Sequence, residues 1–388
     1  LGDEDSRPLL EGGVKISLRD VLVGLSCRLL GLPFRLRKPS AFPPSPRAIL
    51  ILKPCCVGDV LLSTPLLAAI RRAYPQARLD YAVGPWSRSL LETNPHLDGL
   101  IDCGRVGSGR YGWSDYWALV QRLRAREYEA CFVLERSPLI SLLPYLAGIP
   151  HRVGLDSGGR GFSLTVRVPV KGIKHEAELY LDTARAVGLD VERPTLEFHH
   201  RPQERERAHL LLDRAHPLVA VHPAGGRNPG MYLPAKRWPP ERFAAIANRI
   251  IENIGGSVVL LGGPGDEEVA AAVKERMTNQ PLDLTGRLTW GETGAVLEKC
   301  DLCLGNDTGA MHLAVAVGTP VVAIFGPSDP RIYGPYDDRS VALWKGSESL
   351  PPLRQVKPED TSIEAVTVEE VWEAVGRVLT NFRIGANR

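Results

Sequence analysis

Asp307-Thr308-Gly309-Ala310-Met311-His312 stands between an apolar run ending near Gly305 and an apolar, helix-like segment over residues 313–317. A strand, a short polar turn and a helix start, in that order, form the unit from which open parallel α/β sheets are built. Free backbone N–H groups converge at such a helix start, so the unit also predicts an anion site and, first of all, a nucleotide-binding enzyme. The Asp307 carboxylate would repel a diphosphate. It is therefore assigned to sugar hydroxyls or to capping the helix, leaving the amides near Thr308 and Gly309, with the Thr308 hydroxyl, for phosphate. His312, one turn in, lies in register to bond the same group, against the ordinary reading of a lone histidine as structural.

The same alternation recurs along the chain. Residues 48–52 are a continuous apolar run typical of a buried parallel strand. A turn over 53–59, a helix over 60–74 stopped by Pro75 and a strand over 79–83 follow, with a strand over 131–134 and a helix over 176–187. A polar, charged stretch over 201–214 marks a seam, after which the pattern restarts. Strands are expected over 219–221, 257–261, 301–304 and 321–325, helices over 240–254, 267–277 and 291–299, and a last amphipathic helix over 367–379. Two βα series of similar size predict an α/β chain of two facing Rossmann-like domains with a cleft between them. The expected divisions are an extension over 1–46, a first domain over 47–200, a second over 201–345, and a tail with its helix over 346–388.

Bulk composition narrows the partners. With 388 residues the chain has room for two cores, and 47 basic against 45 acidic residues argue against a nucleic-acid binder held by a strong global field. Any anion site must be local. An odd cysteine count without a regular framework suits a reducing cytosol, and Cys300 and Cys303 read as buried strand residues because no second pair completes a zinc set. No apolar run reaches the roughly 20 residues that span a bilayer, so a cytoplasmic protein is expected. Residues 14–38 mix Val14, Ile16, Leu18, Leu22, Leu25 and Leu29 with Lys15, Arg19, Arg28 and Arg35. They read equally as a segment lying on an anionic membrane surface and as a helix packed on its own protein.

Four further constellations carry chemistry. Asp59 follows a strand and opens a helix, so it reads either as a general base in a ligand crevice or as a cap bonding the amides of residues 61 or 62. The glycines of His222-Pro223-Ala224-Gly225-Gly226 allow backbone to approach an anion, although an ordinary turn fits as well. Lys236 and Arg237 precede a helix start, where a cation reaching the crevice would neutralise a diphosphate and solvated charge is the plain alternative. In Gly262-Gly263-Pro264-Gly265-Asp266-Glu267, the acids stand open between ribose partners and helix-dipole partners.

In this order, Gly58-Asp59-Val60-Leu61-Leu62-Ser63-Thr64-Pro65, Pro234-Ala235-Lys236-Arg237-Trp238-Pro239, and Asp307-Thr308-Gly309-Ala310-Met311-His312 with Gly326-Pro327-Ser328-Asp329-Pro330 resemble glycosyltransferase family 9, the ADP-heptose:lipopolysaccharide heptosyltransferases. The resemblance covers roughly residues 47–340 and implies a GT-B fold. It also implies a metal-free, cofactor-free inverting transfer of heptose from ADP-heptose, as co-substrate, to a lipid-linked inner-core acceptor. Asp59 matches the family's general base and Lys236 the lysine on the donor phosphates. Asp307, Thr308, Gly309 and His312 match the donor sugar and diphosphate site. Leu288 falls where backbone contacts adenine, and Asp266 or Glu267 where an acid contacts ribose. Domain closure would then bring Asp59 opposite Lys236.

Departures from the family pattern lie in the extension over 1–46, in a tail over 345–361 without cysteines, and in Cys55-Cys56 where serines are frequent. These leave the acceptor open, because acceptor choice belongs to the first domain. Two rivals stand beside this reading: a relative using another nucleotide sugar, and a catalytically idle sugar-nucleotide binding module that tethers assembly partners through residues 14–38.

Overall fold

A computed structural model of the chain describes residues 18–35, 41–192, 194–212, 216–346 and 363–386. The chain divides into two compact units, Leu1–Pro194 and Thr195–Arg388. The first holds β1 (Ala48–Leu52), β2 (Arg78–Val83), β3 (Gly99–Asp102), β4 (Ala130–Val133), β5 (His151–Asp156) and β6 (Val166–Pro169). All pairings are parallel, in the order β3-β2-β1-β4-β5-β6. β1 lies inside the sheet with all five residues buried, which is why its sequence is an unbroken apolar run. Strands β3, β5 and β6 escape a pattern reading because they are short or carry polar ends such as His151-Arg152.

The helix expected over 60–74 is two helices, Val57–Leu62 and Thr64–Ala73. Pro65 has no N–H to give the Leu61 carbonyl, so the Thr64 hydroxyl donates to it instead at 2.7 Å, while Ser63 Oγ donates to the Val60 carbonyl at 2.7 Å. The break brings Ser63 Oγ within 2.9 Å of the buried Tyr81 hydroxyl on β2.

The second unit holds β7 (Leu218–His222), the antiparallel pair β8 (Arg227–Asn228) and β9 (Met231–Tyr232), then β10 (Ser257–Leu260), β11 (Leu282–Asp283), β12 (Leu302–Asn306), β13 (Val321–Phe325) and β14 (Val341–Trp344). Its parallel sheet runs β11-β10-β7-β12-β13-β14, which repeats the topology of the first. In each sheet the order reverses beside the first strand. A ligand crevice therefore forms at the carboxyl ends of β1 and β4, and again at those of β7 and β12.

The stretch expected as a polar seam carries the helix Pro202–Leu211, packed on the helix Trp290–Glu298; its polarity is that of an exposed face. Residues 213–215 lie outside the described residues, as do 347–362 of the tail. The last helix, Val368–Ala386, belongs to the second unit's core, where Val371, Val375 and Val378 meet Val219, Leu302 and Ile324. Of the extension, residues 14–17 and 36–38 are outside the described residues, and the helix Leu18–Leu30 rests on the first unit with Cys27 buried. Among the described residues no helix is long and apolar enough to cross a membrane. Cys27, Cys103, Cys131, Cys300 and Cys303 are free and buried, whereas Cys55 and Cys56 are joined by a disulfide that the reading of reduced thiols did not include.

Candidate functional site

Asp59 leaves the turn after β1 as the third residue of the helix Val57–Leu62. Its Oδ2 accepts from the Cys56 amide at 3.4 Å, so the cap runs backward to residue 56 rather than forward to 61 or 62. A carboxylate at the third helical position reaches the amide before the helix. The other oxygen, Oδ1, accepts from the Tyr180 hydroxyl at 3.4 Å. Capping thus leaves the carboxylate partly in solvent, with its side chain 26% exposed.

Beneath it lies Lys53, which the sequence reading passed over as part of a turn. Its Nζ is 3.4 Å from Asp59 Oδ2 and 3.2 Å from Glu135 Oε2, and Glu135 follows β4 on the other side of the point where the strand order reverses. Burial alone would lower the Lys53 pKa, but the carboxylates of Asp59, Glu135 and Glu176 outweigh it and raise the pKa, making Lys53 a fixed cation. Glu176 is tied to Arg136 at 2.5 Å. Burial, then Asp59 and Glu176, push the Tyr180 phenol far above its ordinary value, so its hydroxyl stays protonated and donates to Asp59. These partners lie far from Asp59 in sequence. A lysine immediately after an apolar strand run was the one available signal.

In the second unit Lys236 ends a short turn, Pro234–Lys236, with Nζ 2.5 Å from Asp307 Oδ2, and the Ser328 hydroxyl donates to the same oxygen. Burial would raise the Asp307 pKa; Lys236 first, then Ser328 and His312, outweigh it and hold the carboxyl below its ordinary value. The capping alternative for Asp307 does not occur, because Thr308 takes the N-cap position of the helix Gly309–Ala316 and Asp307 is already engaged. His312 is buried inside that helix.

Gly225 and Gly226 follow β7 with φ of 126° and 73°. A Cβ on Gly225 would stand 2.2 Å from Thr308 Cγ2, and one on Gly226 would stand 2.1 Å from the Leu233 carbonyl. Only glycine fits either place. Asn306, fully buried at the end of β12, ties this loop to the lysine turn: its Nδ2 donates to the carbonyls of Pro223 and Ala224 at 2.8 and 3.1 Å, and its Oδ1 accepts from the Trp238 amide at 3.0 Å. Trp238 is itself fully buried and donates to the Val366 carbonyl at 2.9 Å. Together they fix the backbone that carries Lys236. A polar residue closing an apolar strand was the missed signal for Asn306.

Arg237 Nε donates to the Gly225 carbonyl at 2.9 Å and its guanidinium is 3.7 Å from Asp266. Asp266 also accepts from the Gly263 amide at 3.0 Å, and Glu267 from that of Gly265 at 2.8 Å, so both acids stiffen the turn after β10. Leu288 is half-buried between β11 and the helix Trp290–Glu298. Among the described residues, buried polar atoms without a hydrogen-bond partner at this sheet edge include Thr308 Oγ1 and His222 Nδ1. Burial lowers the His222 pKa and keeps the ring neutral. Such atoms are rare in a finished interior and common where a ligand completes the site. The second unit thus gathers Gly225, Gly226, Lys236, Asp307, Thr308, Gly309 and His312, with Asp59 in the first.

Residues 116–362 match the family model described as glycosyltransferase family 9 (heptosyltransferase). The chain belongs to glycosyltransferase family 9. Within that family it is 30% identical over 345 residues to lipopolysaccharide heptosyltransferase 2 of Escherichia coli (strain K12), covering 85% of this chain and 98% of that protein. Among solved structures, it is similar to a glycosyl transferase family 9 protein of Veillonella parvula DSM 2008, at a TM-score of 0.74 and 24% identity over 88% of this chain and 99% of that one. An E. coli structure described as ADP-heptose lps heptosyltransferase II gives a TM-score of 0.68 at 24% identity, over 86% and 99%. The fold is the GT-B architecture of these family members, and the chain is a glycosyltransferase.

Proposed function

We propose that this glycosyltransferase moves a heptose from ADP-heptose to a lipopolysaccharide-core acceptor on the cytoplasmic side, with inversion and without a metal or cofactor. The observation that carries the reading is the lysine turn of the second unit, where Lys236 pairs with Asp307, the residue before the partnerless Thr308 hydroxyl, and Gly225 packs on Thr308. Membership in a family of heptosyltransferases supports the transferred sugar, and the relatives named for lipopolysaccharide support the acceptor.

The acceptor hydroxyl gives its proton to Asp59 as its oxygen bonds the anomeric carbon, and the bond from that carbon to the diphosphate breaks, releasing ADP. Inversion needs the base and the leaving group on opposite faces of the carbon, which assigns Asp59 to the acceptor and the second unit to the donor. Lys236 exchanges Asp307 for the diphosphate as charge grows there. The amides at Thr308 and Gly309 and the Thr308 hydroxyl complete the stabilisation. Asp307, freed of Lys236, takes sugar hydroxyls, and Asp266 or Glu267 takes the ribose.

Turnover of ADP-heptose with Asp59→Asn tests the base, and thermal protection by ADP-heptose against other nucleotide sugars tests the donor. The expected loss for Asp59→Asn is roughly 10² to 10⁴ in kcat, the usual worth of general-base catalysis. Undiminished turnover removes Asp59 from that role, and protection by a different nucleotide sugar alone replaces the donor.

A further inference from the structure

The helix Leu18–Leu30 and the short helix Leu32–Arg35 rest on the first unit through small residues. Cys27 and Gly31 are buried; a Cβ on Gly31 would stand 3.1 Å from Phe162 Cβ, and one on Gly24 would stand 3.0 Å from the Gly158 carbonyl. Phe34 pins the far end, its ring 4.7 Å from that of Tyr145 and 5.6 Å from that of Phe162. The opposite face is apolar as well. Leu22, Leu25 and Leu29 recur at steps of three and four and are 54%, 55% and 62% exposed, and Leu30 and Leu32 continue the row at 61% and 54%. Among the described residues five of the thirteen large exposed hydrophobic side chains thus fall between 22 and 32. Small residues toward the protein and leucines toward water reverse the usual order of burial, so this face is built for a cover.

Charge identifies the cover. Arg28 and Arg167, with Asp156, line a hollow of about 320 Å³ between the helix and the loop after β5, and Arg160 lies in that loop. Asp156, the one acid there, accepts from the amides of Gly159 and Gly161, both at 3.0 Å. In sequence, residues 14–38 hold six basic residues and one acidic. A row of leucines bordered by guanidinium groups complements acyl chains beneath anionic headgroups. The loop after β5 leaves the carboxyl edge of the parallel sheet, the edge that also carries Asp59 after β1 and Glu135 after β4.

We infer that the helix Leu18–Leu30 is an interfacial anchor for an anionic lipid surface. Leu22, Leu25 and Leu29 enter the acyl boundary, and Arg28, Arg160 and Arg167 meet headgroup phosphates. The consequence, resting on the glycosyl-transfer reading, is that the Asp59 edge is held where a lipid-borne acceptor presents its sugar.

The test is co-sedimentation of the full chain with vesicles of phosphatidylglycerol and phosphatidylethanolamine, against vesicles of phosphatidylcholine alone. Binding is expected to the anionic vesicles, to fall about tenfold or more in Leu22→Ser/Leu25→Ser/Leu29→Ser, and to weaken in Arg28→Glu/Arg160→Glu and with added salt. Thermal protection by ADP, measured on each variant, should stay as in the parent and shows that the fold survives. Failure of the parent to sediment with anionic vesicles overturns the inference, as does equal sedimentation of the triple variant. So does a parent dimer in light scattering that the triple variant loses without any vesicle binding, since the cover is then a second copy. Vesicle binding without ADP protection supports the anchor and removes the donor reading instead.

Discussion

Both units set a lysine against an aspartate where the strand order reverses, yet the two pairs differ in what reaches solvent. In the first, Lys53 is 6% exposed and Asp59 is 26% exposed. In the second, Asp307 is 7% exposed and Lys236, on a turn rather than a strand end, is 11% exposed. One pair shows its carboxylate to solvent over a sealed cation, and the other keeps both members nearly sealed, with its cation on the turn. The outer group sets the chemistry: an acceptor for a proton in one unit, a counter-charge for a phosphate in the other. The inner group holds its partner in place.

The largest expected effect comes from removing an inner group. Lys53→Met leaves the part-exposed carboxylates of Asp59 and Glu135 with no lysine between them, and the lost charged hydrogen bonds cost about 1.5–3 kcal/mol of stability. Turnover should fall roughly a hundredfold or more, because the carboxylate loses the cation that holds it in place. The Lys53 pKa is raised, so its contribution is fully present below the ordinary lysine value of 10.5 and no titration of Lys53 itself appears at neutral pH. Lys236→Met should instead weaken ADP-heptose binding. Donor titration and turnover on both variants decide the matter, and identical behaviour would erase the contrast.

Sequence patterns reach the outer groups better than the inner ones. Asp59, Lys236 and Asp307 each sit beside a strand or helix start, so local order alone points to the crevice, and the parallel α/β fold follows from runs such as residues 48–52 and 321–325. Lys53, Glu135 and Tyr180 meet only because β1 pairs with β4 and the helix Glu176–Arg185 packs nearby, with separations of 82 and 121 residues between partners. Propensity carries no information about such meetings. The Ser63 break was written locally, in Pro65, but the apolar period of the surrounding residues hid it. Asn306 was hidden differently: its value lies in three backbone partners from two distant loops, none implied by its neighbours.

A middle effect tests the second pair through acid. The Asp307 pKa is lowered, so the stability it contributes is present above its ordinary value of 3.8 and is lost as pH falls through the depressed folded value. Asp307→Asn should remove about 1–3 kcal/mol at neutral pH, the usual worth of hydrogen bonds to a charged group, and flatten the loss of stability below pH 3.8. Urea unfolding across that range measures it. An unchanged acid limb of stability would mean that Lys236 and Asp307 do not pair in solution, leaving the cation without its sealed partner.

The smallest effect separates an aimed base from a shared one. Tyr180 is fully buried, its ring lies 5.8 Å from Lys53 Nζ, and its hydroxyl reaches Asp59 Oδ1 at 3.4 Å, a long contact. The phenol, held far from ionisation, stays protonated and orients one carboxylate oxygen. Tyr180→Phe keeps the ring and removes only that bond, so kcat should fall about three- to tenfold, the rate equivalent of a single weak hydrogen bond. A loss as large as that of Asp59→Asn would make the hydroxyl part of the proton path. The exposed carboxylate would then be half of the base, and the contrast with the second pair would rest on three groups rather than two.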